Sequence, residues 1–317
     1  MSSVSEVKEG KRVLKCSICY STAKMAQSAK WLRQFEKNFK IPFFVEISIM
    51  PNSAPIGIFD SGIGGLTLAH AITELMPQEN IIYFGDTAHL PYGDKSATAI
   101  QAYSVKICNL LLEKNCKLIL IACNSASAAA YDLVKAYVGT KAKVVNVIDP
   151  VIAYLDQNWE NKTLGLIGTK QTVNSGIYAN KAEALGKHIQ VKSLATPLLA
   201  PMIEEGFFSN SISEHIIKEY LAQPTLQGID GLILGCTHYP LIKAQIDAYY
   251  KGSISVIDTS VIVAEEIKRI LTSEDMLHNG KESSRQFYVS DYTDSFEKST
   301  QIFFGEAIKL TQYPIWD

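Results

Sequence analysis

The feature that most constrains the fold is an alternation, from Pro55 onward, of short apolar runs with longer stretches of helical periodicity. The runs are rich in β-branched residues, and short continuous apolar runs are typical of strands buried on both faces. They cover residues 56–59, 81–84, 118–121, 144–148, 164–167, 232–234 and 255–257. Because helical segments separate them, the pattern predicts an α/β protein with doubly wound parallel sheets.

Three of these runs have a counterpart about 110 residues later, in the same order. Residues 56–61 resemble 164–169, residues 119–123 resemble 232–236, and residues 146–149 resemble 255–258. Strands of α/β proteins resemble one another in general, so chance similarity stays an alternative. We favour two pseudo-symmetric domains facing across a cleft. The first comprises residues 55–149 with 260–317, and the second comprises residues 150–259.

Residues 1–54 do not fit this alternation, and we interpret them as an N-terminal extension. Cys16 and Cys19 form half of a zinc motif, but no second pair has suitable spacing, so we predict no metal site. The extension is either an appended arm or sequence upstream of a true start at Met50. We expect a chain beginning at Met50 to fold and to keep its activity within about tenfold, or about 1.4 kcal/mol in barrier.

Composition excludes several classes of protein. A formal net charge of −2 argues against a large basic surface for nucleic acid. No apolar run reaches the roughly 18 residues that span a bilayer, and the N-terminus does not resemble a secretory signal. Six scattered cysteines do not suggest a disulfide framework, so we expect a cytoplasmic protein with free thiols.

Two cysteines, Cys123 and Cys236, follow predicted strands and precede polar residues that start helices. A thiol at a helix N-terminus can have its pKa lowered from about 8.5, which makes it reactive. An isolated cysteine is more often a small buried apolar side chain, and Cys108 and Cys116 fit that description. From position alone, a reactive role for Cys123 and Cys236 stays open.

A glycine-rich loop follows the first predicted strand, from Asp60 to Thr67. It is not a dinucleotide fingerprint, because Thr67 stands where the third glycine would be. The loop either brings backbone N–H groups to a small anion or forms a tight turn without a ligand. Polar clusters also follow other strands, at Asp86-Thr87, Pro91-Tyr92-Gly93, Thr169 with Thr172, and Thr237-His238. None contains arginine, so hydroxyls, amides and backbone N–H groups would hold a substrate carboxylate.

In these motifs the chain resembles the glutamate racemases of the aspartate/glutamate racemase superfamily. The matching stretches are residues 57–65, 91–96, 122–127, 204–206 and 234–241, and together in this order they are highly specific. The resemblance runs from about Pro55 to about Thr259 and is weaker beyond. Ser125 stands where the family usually has threonine, which keeps the hydroxyl. Some members carry N-terminal extensions that serve regulation.

The resemblance implies conversion of L-glutamate to D-glutamate for peptidoglycan synthesis, with neither metal nor pyridoxal phosphate. It implies that Cys123 and Cys236 are the catalytic acid and base, supported by Asp60, His238 and Glu204. The implied substrate-binding residues are Asp60, Ser61, Tyr92, Gly93, Asn124, Ser125, Thr237 and His238. Two bases on opposite faces of the substrate carbon would place the sulfurs on the order of 6–9 Å apart.

Alternative functions stay open from sequence alone. A racemase of aspartate or another amino acid is the nearest, although His238 favours glutamate because aspartate racemases tend to carry an acidic residue there. A dinucleotide-dependent oxidoreductase is disfavoured by the missing third glycine, and a binding or regulatory protein by the presence of both cysteines. We expect glutamate as a small-molecule partner and a homodimer, without nucleic acid or membrane.

Overall fold

The computed structural model describes residues 51–316, which contain two parallel sheets with helices packed around them. We refer to the larger sheet with its helices as the first lobe and to the smaller one as the second lobe. The first-lobe strands are β1 (Ile56–Asp60), β2 (Ile81–Gly85), β3 (Leu118–Ile121), β4 (Lys143–Asn146), β9 (Arg285–Val289) and β10 (Thr311–Gln312). The second-lobe strands are β5 (Thr163–Gly168), β6 (Gln190–Ala195), β7 (Gly231–Gly235) and β8 (Ser255–Ile257).

Helices connect the strands, as crossovers between parallel strands require. They are α1 (Leu66–Leu75), α2 (Ala97–Glu113), α3 (Asn124–Val138), α4 (Ile148–Asn158), α5 (Lys170–Asn174), α6 (Ile177–Ala184), α7 (Leu199–Glu204), α8 (Ser211–Leu221), α9 (Lys243–Tyr250), α10 (Thr259–Ser273) and α11 (Asp294–Phe304). Short 3₁₀ turns lie at Thr87–His89, Tyr92–Asp94, Pro224–Leu226 and Tyr239–Ile242.

The two lobes repeat one strand order. The second sheet runs β6-β5-β7-β8, and the first contains β2-β1-β3-β4 with β9 and β10 added beyond β2. The pairs β1 and β5, β3 and β7, and β4 and β8 are the ones whose sequences recur about 110 residues apart. The predicted fold of two pseudo-symmetric parallel-sheet domains is therefore confirmed.

Burial explains which strands the sequence pattern found. Strands β1, β2, β3 and β7 are buried at every residue, which requires the continuous apolar runs. Strands β6, β9 and β10 were missed because they are partly exposed and carry polar residues such as Lys192 and Arg285. The predicted strand at 144–148 extends beyond the observed strand β4, which ends at residue 146. Asn146 ends β4, because its side chain accepts from the N–H groups of Ile148 and Asp149 and starts α4.

Some expectations lie outside the described residues. They are the extension itself, the Cys16–Cys19 pair and the start at Met50. The domain boundaries stay predictions. Within residues 51–316, no helix is long and apolar enough to cross a membrane. In the same range, no three His, Cys, Asp or Glu side chains are grouped to hold a metal ion.

A buried ion pair lies at the amino ends of the first-lobe strands. The ammonium of Lys117, just before β3, is 2.7 Å from a Glu79 carboxylate oxygen, and both side chains are about 1% exposed. The same ammonium donates to the carbonyls of Asn52 at 2.6 Å and Met276 at 2.9 Å. The second Glu79 oxygen accepts from the backbone N–H of His278 at 2.7 Å. The pair therefore fastens the segment after α10 to the first lobe.

We predict that Lys117→Met lowers the free energy of unfolding by about 3–5 kcal/mol, because it leaves the Glu79 carboxylate buried without a counter-charge. Lys143→Met is the matched control. Lys143 pairs with Glu274 on the exposed surface, so its loss should change stability by less than about 1 kcal/mol. Urea unfolding followed by circular dichroism measures both, and equal effects would contradict the prediction.

Candidate active site

A narrow cavity lies where the carboxyl ends of β1, β3 and β7 come together, as is usual for ligand sites of open α/β sheets. Its volume is about 40 Å³. It is lined by ten of the eleven residues for which the resemblance implied a catalytic or binding role, namely Ser61, Tyr92, Gly93, Cys123, Asn124, Ser125, Glu204, Cys236, Thr237 and His238. Asp60 is fully buried beside it. One cavity therefore joins side chains from both lobes.

Cys123 enters the cavity from the first lobe. It follows β3 and caps α3, with its sulfur accepting from the backbone N–H of Ala126 at 3.5 Å. Its thiol also reaches the Ser61 hydroxyl at 3.7 Å. Burial, and then the nearby Asp60 carboxylate, raise the pKa of the Cys123 thiol to about 12, and the two hydrogen bonds only partly oppose this. Cys123 is therefore a thiol at neutral pH, which corrects the expectation that the helix N-terminus lowers its pKa.

Asp60 is the last residue of β1 and is completely buried. One carboxylate oxygen accepts from the N–H groups of Gly62 at 3.3 Å and Gly65 at 3.0 Å. The other has no hydrogen-bond partner among the described residues. Burial raises the pKa of Asp60, while the charge of His238 and the two loop N–H groups act against that rise. Asp60 thus shapes the glycine loop and supplies a buried proton-binding group next to Cys123.

Cys236 enters from the second lobe and heads a hydrogen-bonded chain. Its sulfur is 3.6 Å from Nδ1 of His238, and Nε2 of His238 is 2.8 Å from a Glu204 oxygen at the end of α7. Burial acts to lower the pKa of His238, but its contacts with the Cys236 sulfur and the Glu204 carboxylate outweigh burial and hold it well above its usual range. The ring is therefore an imidazolium at neutral pH, with a donor directed at the sulfur.

The first lobe packs tightly on that imidazolium through Gly64. A Cβ added at Gly64 would overlap the ring of His238. The neighbouring Gly62 has room, because its Cβ would lie 3.8 Å from the nearest atoms, one of them a Glu204 oxygen. The close approach of the two lobes therefore requires a glycine at position 64. This contact explains one glycine of the loop without a bound dinucleotide.

Tyr92 is oriented by a buried carboxylate and does not have a free hydroxyl. Its phenol donates to Asp86 at 2.6 Å. Asp86 also accepts from Ser290 at 2.8 Å and from the indole N–H of Trp316 at 2.8 Å. We call Asp86 with these three donors the Asp86 hub. It connects the loop that carries Tyr92 and Gly93 to the C-terminal part of the chain.

Neutral hydrogen-bonding groups line the rest of the cavity. The hydroxyls of Ser125 and Thr169 are 2.8 Å apart, across the two lobes. The Thr237 carbonyl accepts from Thr67 of α1 at 2.9 Å, and a Cβ at Gly93 would lie 2.8 Å from Thr169. Among the described residues that line the cavity there is no lysine or arginine. An anionic substrate would therefore meet hydroxyls, amides and the N-terminus of α3.

Comparisons with known proteins agree with this geometry. The family model described as Asp/Glu/Hydantoin racemase matches residues 66–267. The chain belongs to this family. A glutamate racemase of Neisseria meningitidis is 39% identical over 256 residues, which cover 80% of this chain and 94% of that one. Glutamate racemase 3 of Caldanaerobacter subterraneus is 37% identical, covering 83% and 95%.

Solved structures show the same relationship. The crystal structure of a Francisella tularensis glutamate racemase in complex with D-glutamate matches with a TM-score of 0.78 and 36% identity, covering 84% of this chain and 99% of that one. The resemblance to glutamate racemases drawn from the motifs is confirmed, and a racemase displaces the oxidoreductase and the non-catalytic alternatives.

Sequence reasoning gave no role to several groups that hold the candidate site together. Asp86 and Thr169 stood out only as polar residues after strands. Tyr178, whose hydroxyl donates to Asn124 at 2.8 Å, and Phe303, whose ring meets His238 edge-on at 5.3 Å between centroids, carry no sequence signal. Both lie in helices at positions that look like ordinary core, so only the tertiary contacts identify them.

We predict that Gly64→Ala lowers kcat/KM for racemisation about 100-fold, because the added methyl group displaces His238 and with it the Cys236 contact. Gly62→Ala, two residues away in the same loop, should stay within about threefold, since its methyl group makes only ordinary contacts. Steady-state kinetics on folded variants measure both. Similar losses in the two variants would show that the loop tolerates no side chain anywhere and would contradict the role of the Gly64 contact.

Proposed function

We propose that this protein interconverts L- and D-glutamate by moving the Cα proton between Cys123 and Cys236. The observation that supports this best is the placement of the two cysteines after equivalent strands, β3 and β7, of two lobes that share one cavity. Glutamate is proposed because the related enzymes are glutamate racemases and one of them is described with D-glutamate bound.

The proposed reaction needs two groups because the proton leaves one face of Cα and returns to the other. One sulfur, as thiolate, takes the Cα proton, and the electron pair of the broken C–H bond remains on the substrate as a carbanion. The other sulfur, as thiol, donates its proton to the opposite face. The roles of the sulfurs are then exchanged, and they exchange again when the opposite enantiomer reacts.

The surroundings of the sulfurs suit opposite starting roles. Burial and Asp60 raise the pKa of Cys123 to about 12, so Cys123 begins as the proton donor. Nδ1 of His238 lies 3.6 Å from the Cys236 sulfur, so we assign Cys236 as the group that first takes the Cα proton. Asp60 and His238 are buried beside the sulfurs, and the charge of His238 acts to lower the pKa of Asp60, so the titrations of these two groups are coupled.

The carbanion requires stabilisation as negative charge moves onto the substrate carboxylate. We assign carboxylate and amine binding to Asp60, Ser61, Tyr92, Gly93, Asn124, Ser125, Thr237 and His238. Fixed donors in a cavity that excludes water stabilise developing charge more strongly than water does. Tyr92 would contribute through its ring and backbone, because its hydroxyl is bound to Asp86.

The proposal extends to the cellular role, the assembly and the cofactor requirement of the enzyme. We propose that the D-glutamate supplies peptidoglycan synthesis in the cytoplasm, that the enzyme acts as a homodimer, and that the reaction uses neither metal nor pyridoxal phosphate. We also propose that residues 55–149 with 260–317 and residues 150–259 are the two domains that open and close around the substrate.

The direct test is proton exchange at Cα. Purified protein in deuterated buffer, without added cofactor, should convert L-glutamate to the racemate and incorporate one deuterium at Cα. Circular dichroism measures the first and mass spectrometry the second, with L-aspartate in a parallel arm. Folded protein that leaves glutamate unlabelled would overturn the proposal, and faster exchange with aspartate would change the substrate.

We predict that Cys123→Ala and Cys236→Ala each abolish racemisation while the fold persists. Each variant should still exchange the Cα proton of one enantiomer, because one base remains. Cys116→Ala is the matched control, since Cys116 is buried away from the cavity and burial raises the pKa of its thiol to about 12. It should keep near-normal racemisation. Near-normal racemisation in Cys123→Ala or Cys236→Ala would contradict the mechanism.

A further inference from the structure

A hydrogen bond buried between the lobes joins Tyr178 to the candidate substrate site. Tyr178 lies in α6 of the second lobe and is 1% exposed. Its hydroxyl donates to Oδ1 of Asn124 at 2.8 Å. Asn124 is the first residue of α3 in the first lobe, is 4% exposed and lines the cavity. The second lobe therefore contacts a side chain that the first lobe presents to the substrate.

This contact determines how the Asn124 carboxamide is turned. Burial raises the pKa of Tyr178, so its hydroxyl stays protonated and acts as a donor. The donor selects the carbonyl oxygen of the amide, which places the NH₂ group on the opposite side of the planar carboxamide. Among the described residues, that NH₂ group donates to no protein acceptor, so its hydrogens are available to a ligand.

We propose that Tyr178 is a positioning residue that holds the Asn124 carboxamide with its NH₂ group towards the substrate. Its hydroxyl does not need to touch the substrate to do this. The inference rests on the proposed function, because the binding role of Asn124 is part of it.

The orientation matters because the terminal torsion of asparagine is broad and roughly two-fold. Without the Tyr178 donor, the amide can turn its carbonyl oxygen into the cavity, where it would repel a substrate carboxylate. No lysine or arginine among the described lining residues could compensate for that repulsion. The ring of His238 also lines the cavity, but it is engaged by the Cys236 sulfur and a Glu204 oxygen, so the orientation of the Asn124 amide still affects binding of a carboxylate.

The first test is Tyr178→Phe, which keeps the buried ring and removes only the hydroxyl. We expect KM for glutamate to rise about tenfold, the effect of roughly one hydrogen bond to a charged group. We expect kcat to stay within about threefold, because proton transfer belongs to the cysteines.

Tyr137→Phe provides a control of the same chemistry. The Tyr137 hydroxyl donates to Oδ1 of Asn109 at 2.9 Å on the exposed surface, so its loss should leave KM unchanged. Circular dichroism and thermal unfolding establish that both variants are folded.

The decisive measurement repeats Tyr178→Phe in the Asn124→Ala background. If Tyr178 acts through the amide, Tyr178→Phe should have no further effect on KM there and should not lower the thermal stability further, because the hydroxyl already lacks its partner. An equal rise of KM in both backgrounds, or an unchanged KM in Tyr178→Phe, would overturn the positioning role while leaving glutamate racemisation intact. A wild-type protein that does not racemise glutamate would instead overturn the proposed function.

Discussion

The carboxyl ends of two equivalent parallel strands, β3 and β7, face one cavity, and every other feature of the site depends on that arrangement. Each strand end leads into a turn with a cysteine at its start. The lobes can bring these turns together only where side chains are absent. A Cβ at Gly64 would overlap His238, and one at Gly93 would lie 2.8 Å from Thr169. The glycines are therefore a condition of the lobe contact.

The backbone symmetry of the lobes does not extend to the chemistry of their sulfurs. Cys123 lies beside the buried Asp60, which raises the pKa of the thiol, whereas Cys236 lies beside the imidazolium of His238. Two sulfurs with the same position in the fold therefore have different charged neighbours.

How much of the structure could be predicted from the sequence depends on how far apart in the chain the contacting residues lie. Buried strands such as β1 and β3 require unbroken apolar runs, and cysteines at their ends are visible in the sequence. Strands β6 and β9 have exposed residues and leave no such run. The Asp86 hub could not be foreseen, since its partners Ser290 and Trp316 are 204 and 230 residues away in the chain. Those contacts exist only after the sheet has formed.

The cavity volume also indicates where the molecule has to move. About 40 Å³ accommodates only roughly three waters, and the proposed substrate is several times larger than a water, so the proposed function requires the lobes to part. The polar contacts between the lobes there include hydrogen bonds, such as Ser125 with Thr169 and Tyr178 with Asn124, and an exposed ion pair between Lys170 and Asp94. Each hydrogen bond contributes about 1 kcal/mol net, because water can replace it. Separation of the lobes at the cavity therefore breaks polar contacts that water can replace.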